Sequence, residues 1–257
     1  MKIDASESSP KVKEAMQTID RTIAEGRTIS LVTWTLSDYG ESLLHYIATA
    51  ILRKFNRPEL SDIVYPAVKE LVINATKANM KRIFFIKQGI DPLNADEYDT
   101  GMSEFKAVLT ESMIQEHRKD IIKNDFKITI TFYYNKNVMN IKVKNNFPLL
   151  PREEERIREK FEQAQSFTSL LDFYMSHGDE TEGAGLGITM VGILLDESGI
   201  DRHGFTVFVK PGYDETAARL EIPLNPDYVP RRKQFELEQE RTGKPAQELR
   251  RTFRPTA

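Results

Sequence analysis

Apolar residues recur along this chain at two spacings, and each spacing predicts one kind of element. Apolar positions three and four apart predict helices at residues 9–25, from Asp38 to about Leu52, from Pro58 or Ser61 to about Ala78, and at 102–123, 151–175 and 187–198. Alternating or β-branched runs predict strands at 27–36, 81–86, 127–135, 137–145, 205–212 and 218–224. The turn Asn135-Lys136-Asn137 indicates a hairpin between two of these strands.

The order of these elements predicts the fold class. Strands come mostly in adjacent pairs, with helices grouped between the pairs. This order favours an α+β fold, in which one mixed, mainly antiparallel sheet is covered on one face by helices. Residues 225–257 are rich in charge and poor in apolar side chains. We expect them to form a solvated, partly helical tail in preference to a partner-docking arm.

The composition excludes several classes of protein. With 257 residues the chain can bury a sizeable core, and with no cysteine it has no disulfides, zinc–thiolate sites or cysteine nucleophiles. No run of about 18 apolar residues predicts a membrane-spanning helix, and no apolar leader opens the sequence. A cytoplasmic location is therefore expected. The net charge of −3 gives no support for broad nucleic-acid binding, and four scattered histidines show no metal-ligand spacing.

A first group of polar residues lies on the helix predicted around residues 67–82. Glu70, Asn74 and Lys77 share one helical face, while the opposite face is apolar. A carboxylate can activate a water or hydroxyl, an asparagine oxygen suits Mg²⁺, and a lysine neutralises phosphate. Such residues are also common on solvated helices, so this pattern alone favours a structural role.

A second group is a glycine-rich segment ahead of an apolar helix. Gly183, Gly185 and Gly187 alternate just before that helix, with Leu186 between the last two. Glycines allow close backbone approach to a ligand, and a helix N-terminus favours phosphate. The segment follows a helix late in the chain, so it is not a dinucleotide-binding fingerprint. Phosphate binding and a simple flexible turn are about equally well supported by this segment alone.

Together, these two groups resemble the motifs of a known superfamily. The run from Glu70 to Lys77 resembles the N box of the GHKL superfamily, and the run from Gly183 to Ile188 resembles its G2 box. The superfamily comprises the ATP-binding domains of gyrase-type topoisomerases, heat-shock chaperones, mismatch-repair proteins and histidine kinases. Residues 203–224 are similar to the closing hairpin of histidine-kinase catalytic domains, and residues 27–80 to the anti-sigma-factor kinases.

The resemblance implies a Bergerat-type two-layer sandwich and a set of roles. It covers an ATPase-like domain at 27–224, with a helical insertion at about 88–124 and an ATP lid at about 147–187. The N-terminal helix at 1–26 and the tail at 225–257 lie on either side of it. Glu70 would be the general base, Asn74 would bind Mg²⁺ and Lys77 would contact phosphate. The segment from Gly183 to Gly187, with Leu186, would bind the triphosphate, and Thr216 falls near the adenine-side threonine.

One part of the sequence departs from the superfamily. Its G1 box, Asp-x-Gly-x-Gly, should fall at residues 145–149, where this chain has Asn145-Asn146-Phe147-Pro148-Leu149. Asn145 replaces the aspartate that accepts a hydrogen bond from adenine; its oxygen still accepts, but it is neutral and its amide can flip. Phe147 and Leu149 replace glycines that allow close contact with the base, and they could fill or narrow that pocket.

Three hypotheses for the function follow. The leading one is a GHKL-type signalling protein that binds ATP with Mg²⁺ and, if catalytic, acts as a kinase or ATPase. The second is a pseudo-enzyme of the same fold that serves as a regulatory protein-interaction module. The third, a topoisomerase or repair subunit, fits poorly, because no basic stripe crosses the core. A protein partner in a signalling pathway is expected, and a homodimer is left open.

Overall fold

The structure, a computed structural model, describes residues 10–177, 186–209 and 212–255. The strands are β1 (Ile29–Thr33), β2 (Ile128–Tyr134), β3 (Val138–Asn145), β4 (Phe205–Val209) and β5 (Thr216–Pro223). The helices are α1 (Pro10–Ala24), α2 (Asp38–Lys54), α3 (Ser61–Gln88), α4 (Ala95–Val108), α5 (Glu111–Glu116), α6 (Arg118–Lys123), α7 (Pro151–Gln165), α8 (Leu170–His177), α9 (Leu186–Glu197), α10 (Arg231–Thr242) and α11 (Ala246–Thr252). None of these helices is both long and apolar enough to cross a membrane.

One open five-stranded sheet forms the framework. Its strand order is β1-β2-β3-β5-β4, and each neighbouring pair of described strands is antiparallel. Helices pack against the sheet, so the predicted α+β class with a mainly antiparallel sheet is confirmed. The hairpin predicted around residue 136 is also confirmed, with Ile128 opposite Asn145 and Tyr134 opposite Met139.

The main core lies between the sheet and helices α2, α3 and α9. Alternate residues of the strands, such as Ile130, Ile141 and Leu220, are buried on this side. Helical residues at spacings of three and four, including Leu44 and Val68, cover them. Burying one such side chain contributes about 1.5–3 kcal/mol, so the apolar pattern fixes which face of each element points inward.

The strand predicted at residues 81–86 is wrong. Helix α3 continues through this segment as one helix of 28 residues and ends at Gly89, whose φ of 68° stops it. The Ile-Phe-Phe-Ile run favours a strand by composition, but Met80 and Ile83 instead lie three apart on a helical face. They pack with Met102 and Phe105 of α4 in a second apolar cluster, and this tertiary burial outweighs local propensity.

Two of the predicted helices are interrupted in the structure. The helix expected at 102–123 is three helices, of which α4 begins earlier with Asn94 as its N-cap. The helix expected at 151–175 is divided into α7 and α8.

The tail of the chain is attached to the sheet, and its residues 231–252 form α10 and α11. The tail is held where Glu221 of β5 accepts hydrogen bonds from the Tyr228 hydroxyl (2.7 Å) and the Arg231 backbone N–H (2.9 Å).

Candidate functional site

A cleft of about 620 Å³ opens between the sheet and helices α3, α4 and α7. Three predicted residues of α3 and the sheet, Asn74, Lys77 and Asn145, lie in its wall, and Thr216 joins them from β5. Ile188, in the first turn of α9, lies in the same wall. The structure therefore brings together the N-box-like helix, the end of β3 and the helix that follows the glycine-rich segment.

Glu70 and Gly187 are in direct contact with each other. Neither is among the residues that line the cleft, but their helix neighbours Leu71 and Ile188 are. A Cβ added to Gly187 would overlap the Glu70 carboxylate and lie 2.5 Å from its Cδ and 2.8 Å from its Cγ. Only a glycine leaves room for the carboxylate at this point. Gly187 is the second residue of α9, so the carboxylate lies beside the first turn of a helix, where backbone N–H groups have no partner within the helix.

The environment of Glu70 changes its acidity. Burial raises the pKa of the Glu70 carboxyl, while Lys77, the amide of Asn74 and Lys69 act against that shift. A carboxylate with a raised pKa is a better proton acceptor, as a general base requires. The Nδ2 atom of Asn74 is buried, and no hydrogen bond to it is found among the described residues. The Asn74 amide therefore faces the Glu70 carboxylate without an ordinary hydrogen bond to it.

Asn145, in the wall of the cleft, has a fixed orientation. Its Nδ2 donates to the Ala75 carbonyl (3.0 Å) and to Asn79 Oδ1 (2.7 Å). A carbonyl only accepts, so the NH₂ group must face α3, and a flip would lose both bonds. Asn79, fully buried, in turn donates to the Trp34 and Phe126 carbonyls. The Asn145 oxygen is left as an acceptor without a hydrogen bond from the described residues.

Thr216 and Phe147 flank Asn145. Thr216 lies opposite Asn145 in the β3–β5 register, and its hydroxyl donates to the Phe147 carbonyl (2.8 Å). The Phe147 ring packs edge-on against Phe126 (5.4 Å between centroids) and lies 4.7 Å from the guanidinium carbon of Arg82. Phe147 is thus part of the wall of the cleft, held by contacts on the side of Phe126 and Arg82.

A buried charge cluster beside the cleft was missed by the sequence analysis. Glu153, in the first turn of α7, contacts Lys81 and accepts two bonds from Arg82, at 2.8 and 2.7 Å. These cations hold the pKa of Glu153 at about 2 in spite of its burial. Burial lowers the pKa of Lys81, and Glu153 opposes that change. The partners are about seventy positions apart, so no local pattern reveals them.

Several predicted features remain outside the site as described. Gly183 and Gly185 lie outside the described residues, and Leu186 is described only as the first residue of α9. Among the described residues, no group of three or more His, Asp or Glu side chains is placed to hold a metal ion. Any metal here would therefore be held by few protein oxygens, such as those of Glu70 and Asn74, together with ligand or water oxygens.

Comparisons with known proteins give one sequence relative. The chain is 28% identical over 197 residues to an uncharacterized protein from Treponema pallidum (strain Nichols). The matched residues are 77% of this chain and 38% of the relative, so the chain spans well under half of the relative's length. No protein-family model matches the chain, and no solved structure matches it.

Proposed function

We propose that this chain binds an adenine nucleotide with Mg²⁺ in the cleft, in the manner that its resemblance to the GHKL superfamily implies. The observation that supports this most is the contact between Glu70 and Gly187. Two segments more than a hundred positions apart, which resemble the N box and the G2 box, meet at a single point. In the Bergerat-type arrangement that the resemblance implies, these two segments hold the phosphates.

The phosphate end has the required chemistry. Lys77 supplies a positive charge, and the first turn of α9 supplies unpaired N–H groups and the positive end of a helix dipole. Oxygens of Glu70 and Asn74 are hard ligands of the kind Mg²⁺ prefers, and Mg²⁺ would neutralise phosphate charge. Mg²⁺ keeps several waters when bound, so this small donor set fits it.

The base end also retains a recognition group. The Asn145 oxygen faces the ligand side, because both N–H bonds of its amide are directed at α3. An exocyclic amine can donate to this oxygen, as it would to the aspartate of the superfamily. Phe147, which replaces a glycine, is held against Phe126 and Arg82 and leaves a cleft of about 620 Å³, within the usual range for small-molecule sites.

If the nucleotide is turned over, the chain acts as a kinase or ATPase. Glu70 then accepts a proton from a water or a protein hydroxyl, which the raised pKa of its buried carboxyl favours. Lys77 and the α9 N-terminus stabilise charge that develops on the phosphates. A signalling role, a protein partner, a homodimer and a cytoplasmic location stay predictions from the sequence.

A regulatory pseudo-enzyme is the second candidate. The observation that favours it is the chemistry of residues 145–149, where a neutral Asn145 and a bulky Phe147 stand in place of an aspartate and a glycine. A protein that has lost turnover can retain the cleft and use its surface helices to bind partners. Binding without hydrolysis or transfer would favour this candidate.

Titration calorimetry with ATP and Mg²⁺ tests the proposal. We expect saturable binding by the parent, and at least about tenfold weaker binding by Glu70→Ala and Asn74→Ala, since each removes a charged or metal-directed contact. Lys87→Ala is the matched control, because Lys87 is in the last turn of the same helix and pairs with Asp120. No binding at millimolar ATP would refute nucleotide binding, and equal binding by all four proteins would refute binding at Glu70 and Asn74.

A further inference from the structure

The end of the cleft next to α4 carries more positive than negative charge. Lys81, Arg82 and Arg156 lie near one buried carboxylate, that of Glu153. Asp99, which is about half exposed, has an oxygen 3.9 Å from the Arg156 guanidinium, and Glu159 also lies in the wall of the cleft together with Lys106 and Lys160. Like charges close together in a partly desolvated wall repel one another, and a further anion in the cleft would relieve that repulsion.

Tyr98 lies among these charged groups. The Lys81 ammonium is 5.8 Å and the Arg156 guanidinium 5.7 Å from the centre of its ring. Tyr98 is fully buried, and no hydrogen bond to its hydroxyl is found in the part of the chain that the structure describes. Burial raises the pKa of Tyr98 to about 12, so the hydroxyl is a neutral donor. An unpaired buried donor carries a free-energy cost that a bound acceptor would remove.

We propose that the α4 end of the cleft is a second anion-binding subsite, in which Lys81, Arg156 and the Tyr98 hydroxyl hold a phosphate or carboxylate group. Lys81, Tyr98 and Arg156 all lie in the wall of the cleft. The subsite is distinct from the triphosphate position, which centres on Lys77 and Gly187, and it requires α4. The anionic group comes either from a phosphate of a bound nucleotide or from a separate small anion.

The probe for this subsite is inorganic phosphate, measured by calorimetry and by thermal unfolding. We expect saturable binding to the parent, and binding about tenfold weaker in Arg156→Gln and Tyr98→Phe. Arg158→Gln and Tyr174→Phe are matched controls, because Arg158 is an exposed residue of α7 and the Tyr174 hydroxyl contacts Met190. Without phosphate, Tyr98→Phe raises the unfolding temperature, since it removes an unpaired buried hydroxyl.

The variant Lys77→Met tests whether inorganic phosphate binds at the triphosphate position or at the α4 end of the cleft. If this variant loses phosphate binding and Arg156→Gln keeps it, the phosphate lies at the triphosphate position and the inference is wrong. The inference also fails if phosphate does not saturate, or if Tyr98→Phe binds it as the parent does. Phosphate binding that persists in Glu70→Ala, when that variant has lost ATP, supports the subsite independently of the proposed function.

Saturating ATP with Mg²⁺ identifies the source of the anion. If the phosphate effect persists and adds to that of ATP, the subsite takes a separate anion. If ATP removes the phosphate effect in the parent, and Arg156→Gln weakens ATP, the nucleotide itself supplies the group.

Discussion

The backbone of Gly187 lies against the carboxylate of Glu70 so closely that no Cβ fits between them. This contact joins the middle of α3 to the first turn of α9. The Glu70 side chain can therefore occupy its position only because Gly187 has no side chain. The pairing can be measured without any ligand, and it gives the first of four predictions.

We predict that Gly187→Ala and Glu70→Ala are energetically coupled. In the parent, Gly187→Ala displaces the Glu70 side chain and costs about 1 kcal/mol of the free energy of unfolding, because the side chain can move. In a Glu70→Ala background the same change is neutral or stabilising by up to about 1 kcal/mol, since alanine favours helix over glycine. Denaturant unfolding of the four proteins measures the coupling.

Gly40→Ala is the control for this cycle. It lies in α2, and its added Cβ would meet Ser37 Oγ at 3.4 Å, an ordinary contact. It should show the same small effect in both backgrounds. Additive effects of Gly187→Ala and Glu70→Ala would show that the two residues are not in contact.

We predict that Glu70→Gln stabilises the protein at neutral pH. The pKa of the Glu70 carboxyl is higher in the folded chain than its ordinary value of 4.5, because burial disfavours the charged form. The contribution of the Glu70 carboxyl to the free energy of unfolding is therefore fully present below pH 4.5. It is lost as the pH rises through the pKa of the folded chain. At pH 7 the variant should have a higher unfolding temperature than the parent, and this gap should close near pH 4. A gap independent of pH would contradict this account.

We predict the opposite behaviour for Glu153→Gln. The pKa of Glu153 is lowered to about 2 by Lys81 and Arg82, so its stabilising effect is present above pH 4.5 and is lost as the pH falls toward 2. At pH 7 the substitution leaves buried cations without their partner and costs about 3 kcal/mol. Thermal unfolding from pH 7 down to pH 3 should show the difference shrinking. Glu154→Gln, an exposed neighbour that pairs with Arg158, should change stability little at any pH.

We predict that Asn145→Asp destabilises the chain, although it restores the residue of the superfamily's G1 box. The two hydrogen bonds from Nδ2 to Ala75 and Asn79 would become contacts between acceptor oxygens. The expected cost is about 2–4 kcal/mol at pH 7, and part of it should be recovered at low pH, where a protonated carboxyl can donate again. Chemical unfolding at pH 7 and pH 4 tests this; a variant as stable as the parent would show that the amide does not hold β3 to α3.

The sequence predicted the elements whose apolar spacing was regular, and it failed where distant packing decided. The β2–β3 hairpin could be predicted because its alternation and its turn are local. Residues 81–86 could not, because their helical state depends on burial against Met102 and Phe105, which lie some twenty positions later. The placement of Glu70 against Gly187 was implied by the superfamily resemblance alone. The Lys81–Glu153 pair and the unpaired Tyr98 hydroxyl had no sequence signal, since each depends on which helices meet.

The continuity of α3 has a consequence for the choice of ligand. Glu70 and Lys81 lie on the same uninterrupted helix, which separates their Cα atoms by about 16 Å at 1.5 Å per residue. A rigid helix keeps this separation constant, so a small molecule can contact both residues only if it is about as long as the distance between them. A compound much shorter than this distance can contact the region of Glu70 or the region of Lys81, but not both. The protein would therefore select ligands by their length as well as by their charge.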